Sequence, residues 1–220
     1  MRHRTAGGAL ALLLLPLIGV LGPSRPVTAT GQGGECSIRV HGPDSAGAVV
    51  HLLMALGQAW GQVFTADDTL IHSITAWRFP PPDTNATPMH LYIMAVDSLG
   101  KPDGNTILQD GPSLSIPFGP TPGQPVEVRY EFDPPFALPA RGKYCFAIQE
   151  GTCFSTFSLL GDTTNVYPEG AAWKFDRTFS CGICCPALFA PGDMIFQIEF
   201  CDLAVQTNSA TWGRVKASYR

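Results

Sequence analysis

The chain has 220 residues, of which 15% are charged and 45% hydrophobic, with 23 glycines and 20 prolines. That composition excludes a disordered or coiled-coil chain. Its Gly and Pro content, above an ordinary usage of roughly 12%, points to short strands joined by tight turns. The formal charge is −4, and removing the first 29 residues takes away Arg2, Arg4 and Arg25 but no acid, leaving 11 bases against 18 acids, a net −7. A body so acidic is no phosphate-binding surface, which argues against nucleic acid as partner.

Residues 1–29 read as a signal peptide: a basic start at Arg2 and Arg4, an apolar run from Ala9 to Leu21, and small residues at Val27-Thr28-Ala29 suited to cleavage. The apolar run is short of the ~20 residues of a spanning helix and contains Pro16, and no later segment is apolar enough to span a bilayer. The expectation is an exported protein (extracellular, cell surface or periplasm) with no transmembrane segment in the mature chain. Residues 30–204 form the expected domain, and 205–220 a polar linker with a basic-aromatic tail, Trp212 to Arg220.

Within the body, Ser45–Ala59 fits either a buried strand or a short helix. Leu70–Phe79 is rich in strand formers, and Met89–Val96 forms a second strand. Pro102-Asp103-Gly104 signals a turn. Val126, Val128, Tyr130 and Phe132 alternate with Glu127, Arg129 and Glu131, a strand with one dry and one wet face. Tyr144, Phe146 and Ile148 repeat the pattern, as do Phe196, Ile198 and Phe200. Many strands with Gly/Pro turns and no long helical period predict an all-β fold, an antiparallel β-sandwich.

Several segments then resemble one group. Trp60-Gly-Gln-Val-Phe-Thr-Ala66 with Leu70–Ile74, Leu91–Ile93 with Asp97–Pro102, Phe132–Pro139 with Gly142–Ile148, and Tyr167–Gly170 with Trp173 together resemble secreted bacterial jelly-roll domains of the "GQxFTA" type. Such domains are often found near surface-anchoring signals and are similar in outline to carbohydrate-binding modules. The resemblance implies a jelly-roll sandwich and a structural calcium held by loop carboxylates, with Asp67, Asp68, Asp97, Asp103 and Asp162 as the acids in turns. The competing reading of these acids is turn capping.

All seven cysteines, Cys36, Cys145, Cys153, Cys181, Cys184, Cys185 and Cys201, follow the signal segment, so disulfide reinforcement is the expectation for an exported chain. Candidate bridges are Cys36–Cys201, tying the first and last strands, and Cys145–Cys153 across a turn; Cys153 could instead reach the 181–185 cluster. Cys181-Gly-Ile-Cys184 has zinc-knuckle and redox spacing, but no second knuckle supplies the other ligands and Pro186 argues against the helix a redox motif needs. Cys184 and Cys185, adjacent in extended chain, are expected to point apart. His72 and His90, on strands expected to be neighbours, could share a face, although unrelated surface histidines are the commoner outcome.

For function, no Gly-x-Ser-x-Gly elbow is present. Glu127 and Glu131 sit ~13 Å apart along one strand, too far for a glycosidase pair. The leading expectation is a non-catalytic extracellular or cell-surface binding or structural module whose partner is a glycan or another envelope protein. The alternative is a secreted hydrolase whose site assembles only in three dimensions. A sugar stacks on exposed aromatic rings, and Tyr167, Trp173, Trp77 and Tyr92 are the candidates. Tyr167 and Trp173 flank a loop, whereas Trp77 and Tyr92 are expected to fill the core.

Overall fold

A computed structural model describes residues 35–43, 50–79, 87–116, 124–152, 156–178 and 182–202. Residues 1–29, expected as a signal peptide, the C-terminal tail 205–220, Cys153 and Cys181 lie outside these residues. The described chain is all β: β1 Cys36–His41, β2 Val50–Ala55, β3 Ala59–Ala66, β4 Leu70–Phe79, β5 Thr87–Val96, β6 Pro102–Ile116, β7 Val126–Ala137, β8 Gly142–Glu150, β9 Thr156–Asp162, β10 Ala172–Arg177, β11 Ile183–Phe189, β12 Asp193–Met194 and β13 Phe196–Cys201.

These strands make two antiparallel sheets packed as a sandwich. Sheet A runs β1-β13-β4-β9-β12, with β7 on β4 and β2 on β9; sheet B runs β11-β10-β3-β8-β5-β6. The chain crosses repeatedly from one sheet to the other, which brings residues distant in sequence onto one face. The main core lies between the sheets and includes Trp60, Phe64, Ile74, Leu91, Tyr130, Phe146, Leu159 and Phe196.

The alternating strands β7 and β13 fold as their pattern dictates. Val128, Tyr130 and Phe132 point inward, as do Phe196, Ile198 and Phe200, while Glu127, Gln197 and Glu199 keep contact with solvent. Residues 50–55 of the ambiguous segment form a strand, while 44–49 lie outside the described residues. β8 departs from simple alternation, because Tyr144 to Glu150 are all buried. Ala59, Val63, Met94, Cys145, Ala147, Phe175 and Ile183 form a second cluster on the face of sheet B turned away from sheet A. For side chains of five strands to meet there, the sheet must be concave on that side, and its two edges, β6 and β11, do touch.

Pro102-Asp103-Gly104 is not a turn but the start of β6, a position where proline's missing N–H costs no ladder bond. The turn comes earlier. Asp97 Oδ1 accepts the N–H groups of Leu99 (2.8 Å) and Lys101 (2.9 Å), and Gly100 takes the left-handed conformation at φ 78°.

Cys36 and Cys201 face each other across β1 and β13 and form a disulfide that closes a loop of 165 residues. Cys145 does not bridge to Cys153. It is a free, fully buried thiol on the second cluster, its S–H directed at the Phe146 carbonyl 3.2 Å away, and burial pushes its pKa well up.

Candidate functional site

Three of the four aromatic candidates, Tyr167, Trp77 and Tyr92, lie other than expected, whereas Trp173 is half-buried on an outer face. Tyr167 is not on the surface. It is 8% exposed and meets Phe196 edge-to-face, with ring centroids 5.4 Å apart. Its hydroxyl accepts the Thr65 N–H at 2.9 Å, and burial raises its pKa. The loop Tyr167–Gly170 is pulled onto the sheets because Tyr167 N–H also donates to the buried Asp193 (2.8 Å).

Trp77 and Tyr92 are not core residues but half-buried on outer faces. The register explains this. On β4 the inward set is Ile74, Ala76 and Arg78, so Trp77 points out of sheet A beside Glu127 of β7. On β5 the inward set is Met89, Leu91 and Ile93, so His90 and Tyr92 point out of sheet B. Trp173 lies on that same outer face, in one cross-strand row with Gly61, Ala147 and Tyr92. Between these two aromatics the face is filled. Phe175 lies over Gly61, where an added Cβ would come within 2.9 Å of its ring. Trp173 and Tyr92 are therefore not one open platform.

Trp77, by contrast, lines a groove of about 450 Å³ with Ile38, His41, Pro43, Val166 and Gln197. β1 and β13 bring His41 opposite Gln197, and β13 and β4 place Gln197 opposite Thr75, two residues from Trp77 on the same face. Ile38 and Val166 are 49% and 53% exposed at the rim. Among the described residues, neither the Trp77 indole N–H nor the Gln197 amide has a hydrogen-bond partner. The groove is a mostly apolar concavity with a few unspent polar groups, the usual make-up of a small-ligand site. Beyond Gln197 the same face carries an ion-pair network, Arg129 to Glu199 at 2.7 Å and to Glu131 at 2.8 Å.

Sheet B carries a constellation that the sequence does not reveal. β5 and β6 pair His90 with Ser113 and Tyr92 with Asp110. His90 Nδ1 contacts Ser113 Oγ, its Nε2 faces Asp110 Oδ1 at 2.5 Å, and the ring packs on Tyr92 at 4.5 Å. Desolvation and then the Asp110 charge raise the Tyr92 pKa. Serine, histidine and acid are thus in series, but the order is inverted. In serine hydrolases Nε2 serves the nucleophile and Nδ1–H is held by a buried acid, whereas here Asp110 is 72% exposed. Pro112, next to Ser113, has no N–H to offer an oxyanion.

His72 lies on β4 in sheet A and His90 on β5 in sheet B, so the two do not share a face. The calcium candidates do not converge on one another. Asp68 is 8% exposed and pairs with Arg39 at 3.0 Å. Asp97 and Asp162 cap their own turns, Asp103 accepts the Asn105 N–H and the Thr106 hydroxyl at the start of β6, and the Thr106 and Thr164 hydroxyls hold Asp103 and Asp162 below the ordinary carboxylate range. Asp67 is exposed beside Asp68. Among the described residues, the one group of three potential ligands within 4.8 Å of each other is Cys36, His72 and Cys201, and its two sulfurs are already joined as a disulfide.

Among the described residues no helix is long and apolar enough to cross a membrane. No protein-family model matches the chain, and no curated protein matches it. Several solved structures are similar, two of them as follows. One comprises the cysteine protease and lectin-like domains of Cwp84, a surface layer associated protein of Clostridium difficile (14% identity, TM-score 0.46, 73% of this chain and 37% of that chain). The other is a cysteine-to-alanine variant of the clostridial cysteine protease Cwp84 after propeptide cleavage (11% identity, TM-score 0.50, 76% of this chain and 40% of that chain). The chain thus spans well under half the length of either, and at 11% identity the likeness to the second shows a shared fold and nothing further.

Proposed function

We propose that this protein is an exported, non-catalytic binding module of the secreted jelly-roll type, and that it holds a carbohydrate in the Trp77 groove. The observation that carries the reading is the groove itself: an outward Trp77 at its wall, His41 and Gln197 beside it, and an indole N–H and a Gln197 amide that no side chain among the described residues engages. A pyranose has an apolar C–H face to lay on the indole and hydroxyls to satisfy the amide and imidazole, so the lining matches its two-sided chemistry. The description of Cwp84 as surface layer associated, with a lectin-like domain, accords with this reading, but the argument rests on the groove. A glycan array probed with the chain lacking residues 1–29, alongside Trp77→Ala and Gln197→Ala, tests it. Binding should fall at least tenfold in Trp77→Ala. Binding to no glycan removes the reading, and loss in Trp173→Ala but not in Trp77→Ala moves the site to sheet B.

A second reading follows from Ser113, His90 and Asp110, a hydrolase using Ser113 as nucleophile. Its inverted nitrogen order and exposed acid place it behind the binding module. A fluorophosphonate probe separates the two: labelling at Ser113 that is lost in Ser113→Ala and His90→Ala supports the enzyme, and no labelling discards it.

A further inference from the structure

Extended chain directs neighbouring side chains to opposite faces, yet on β11 the sulfurs of Cys184 and Cys185 lie 2.6 Å apart. That is nearer the ~2.05 Å of a covalent S–S bond than the ~4 Å of side chains in ordinary packing. The backbone is shaped for this contact. Cys185 has φ 57°, in the left-handed region that non-glycine residues rarely enter, which swings its side chain back toward Cys184. Directly opposite, the β10–β11 register slips between Lys174 and Asp176, the residue paired with Cys184. A local irregularity on both strands thus accompanies one sulfur–sulfur contact.

The other described cysteines are spent or remote: Cys36 and Cys201 are joined, and Cys145 is buried and free. Cys184 is half-buried and Cys185 exposed, and both line a groove of about 500 Å³ with Asp97, Lys101, Asp103 and Ile183, where β11 meets the β5–β6 turn.

We propose that Cys184 and Cys185 are an oxidation site, closing outside the cytosol into a vicinal disulfide whose eight-membered ring forms the floor of this groove. The exposed Cys185 thiolate attacks a sulfur of a low-molecular-weight disulfide such as oxidised glutathione and expels one glutathione thiolate. The Cys184 thiolate then attacks Cys185 Sγ in the mixed disulfide and expels the second. The two protein thiols lose two protons and two electrons, and the glutathione disulfide takes up both electrons as two thiolates. The ring bridges adjacent residues and so restrains almost none of the unfolded chain, whereas Cys36–Cys201 restrains 165 residues. The exposed ring therefore opens first under reduction, which makes the groove floor redox-sensitive. This inference is independent of the Trp77 reading.

The test uses the full chain produced in an oxidising compartment, alkylated without reduction, digested and sequenced by tandem mass spectrometry. The expected peptide carries Cys184 and Cys185 unalkylated and is lighter by two hydrogens, with backbone fragmentation proceeding normally between Cys181 and Ile183. Stepwise dithiothreitol should expose these two thiols at concentrations that leave Cys36–Cys201 intact. The ring should persist in Cys181→Ser. A cross-link from Cys184 or Cys185 to Cys181 or Cys153, alkylation of both sulfurs before reduction, or loss of the ring in Cys181→Ser would overturn the proposal.

Discussion

Gln62 of β3 donates its Nε2–H to Asp193 Oδ1 of β12 at 3.0 Å, and the contact joins sheet B to sheet A inside the protein. Both residues are fully buried. Asp193 Oδ2 accepts the Tyr167 N–H, and Gln62 Oε1 accepts the Met194 N–H, each at 2.8 Å. Asp193→Ala would strand the Tyr167 N–H and one of the two Gln62 Nε2 hydrogens, the other being held by the Val63 carbonyl at 3.2 Å, at about 1–3 kcal/mol for each stranded donor. Urea unfolding should show a loss of about 2–5 kcal/mol, and a change under about 0.5 kcal/mol, the scale of ordinary surface substitutions, would mean the contact does not clamp the sheets.

The same carboxyl gives a pH dependence. Burial holds Asp193 above the ordinary carboxylate range, whereas in the unfolded chain it titrates near about 3.9. Its neutral form thus contributes stability that is fully present below the unfolded pKa and lost as pH rises through the folded value. Asp103 and Asp162 shift downward and act with the opposite sign, but they are solvated and contribute little. The urea midpoint of the wild type should therefore fall relative to Asp193→Asn as pH rises from about 4; parallel curves for the two proteins would remove the claim.

Tyr130 is fully buried with no hydrogen-bond partner for its hydroxyl among the described residues, and burial raises its pKa far above the usual range. An unpartnered buried hydroxyl loses water and gains nothing in return. Tyr130→Phe should be neutral or stabilise by about 1 kcal/mol, read as a rise in Tm. Destabilisation by more than about 1 kcal/mol would show that the hydroxyl is bonded.

Gly170 is fixed by a close approach rather than by its backbone angles, since a Cβ there would lie 1.8 Å from the Val63 carbonyl oxygen. That oxygen belongs to a strand held on both sides and cannot retreat. Gly170→Ala should cost about 3 kcal/mol or more. At Gly104 the nearest atom to an added Cβ is 3.8 Å away, and Gly104→Ala should stay within about 0.5 kcal/mol. Equal losses in denaturant midpoint would contradict the steric account.

The sandwich was readable wherever a strand has one wet face, as in β7 and β13, because period-two burial then appears directly in the residue order. β8 hides its role, since Cys145 and Ala147 are as deeply buried as Phe146 and Ile148. The Cys36–Cys201 bridge followed from strands at the two ends of the body, whereas Cys145 looked like a partner for Cys153 only because they are close in sequence. The site was harder to read. Whether Trp77 or Tyr167 meets solvent depends on which sheet each neighbour joins, and aromatic residues carry no mark of that choice. His90, Asp110 and Ser113 come together through an irregular register between β5 and β6, with shifts between His90 and Tyr92 and between Ile93 and Met94. No short motif encodes such an offset.

The contact between β6 and β11 also bears on how this protein coexists with copies of itself. A six-stranded sheet would ordinarily offer two bare rims of N–H and C=O groups onto which another polypeptide could zip. Because β6 and β11 come together where sheet B curls, each covers part of the other's rim there, which shortens the open edge onto which a second copy could add a strand.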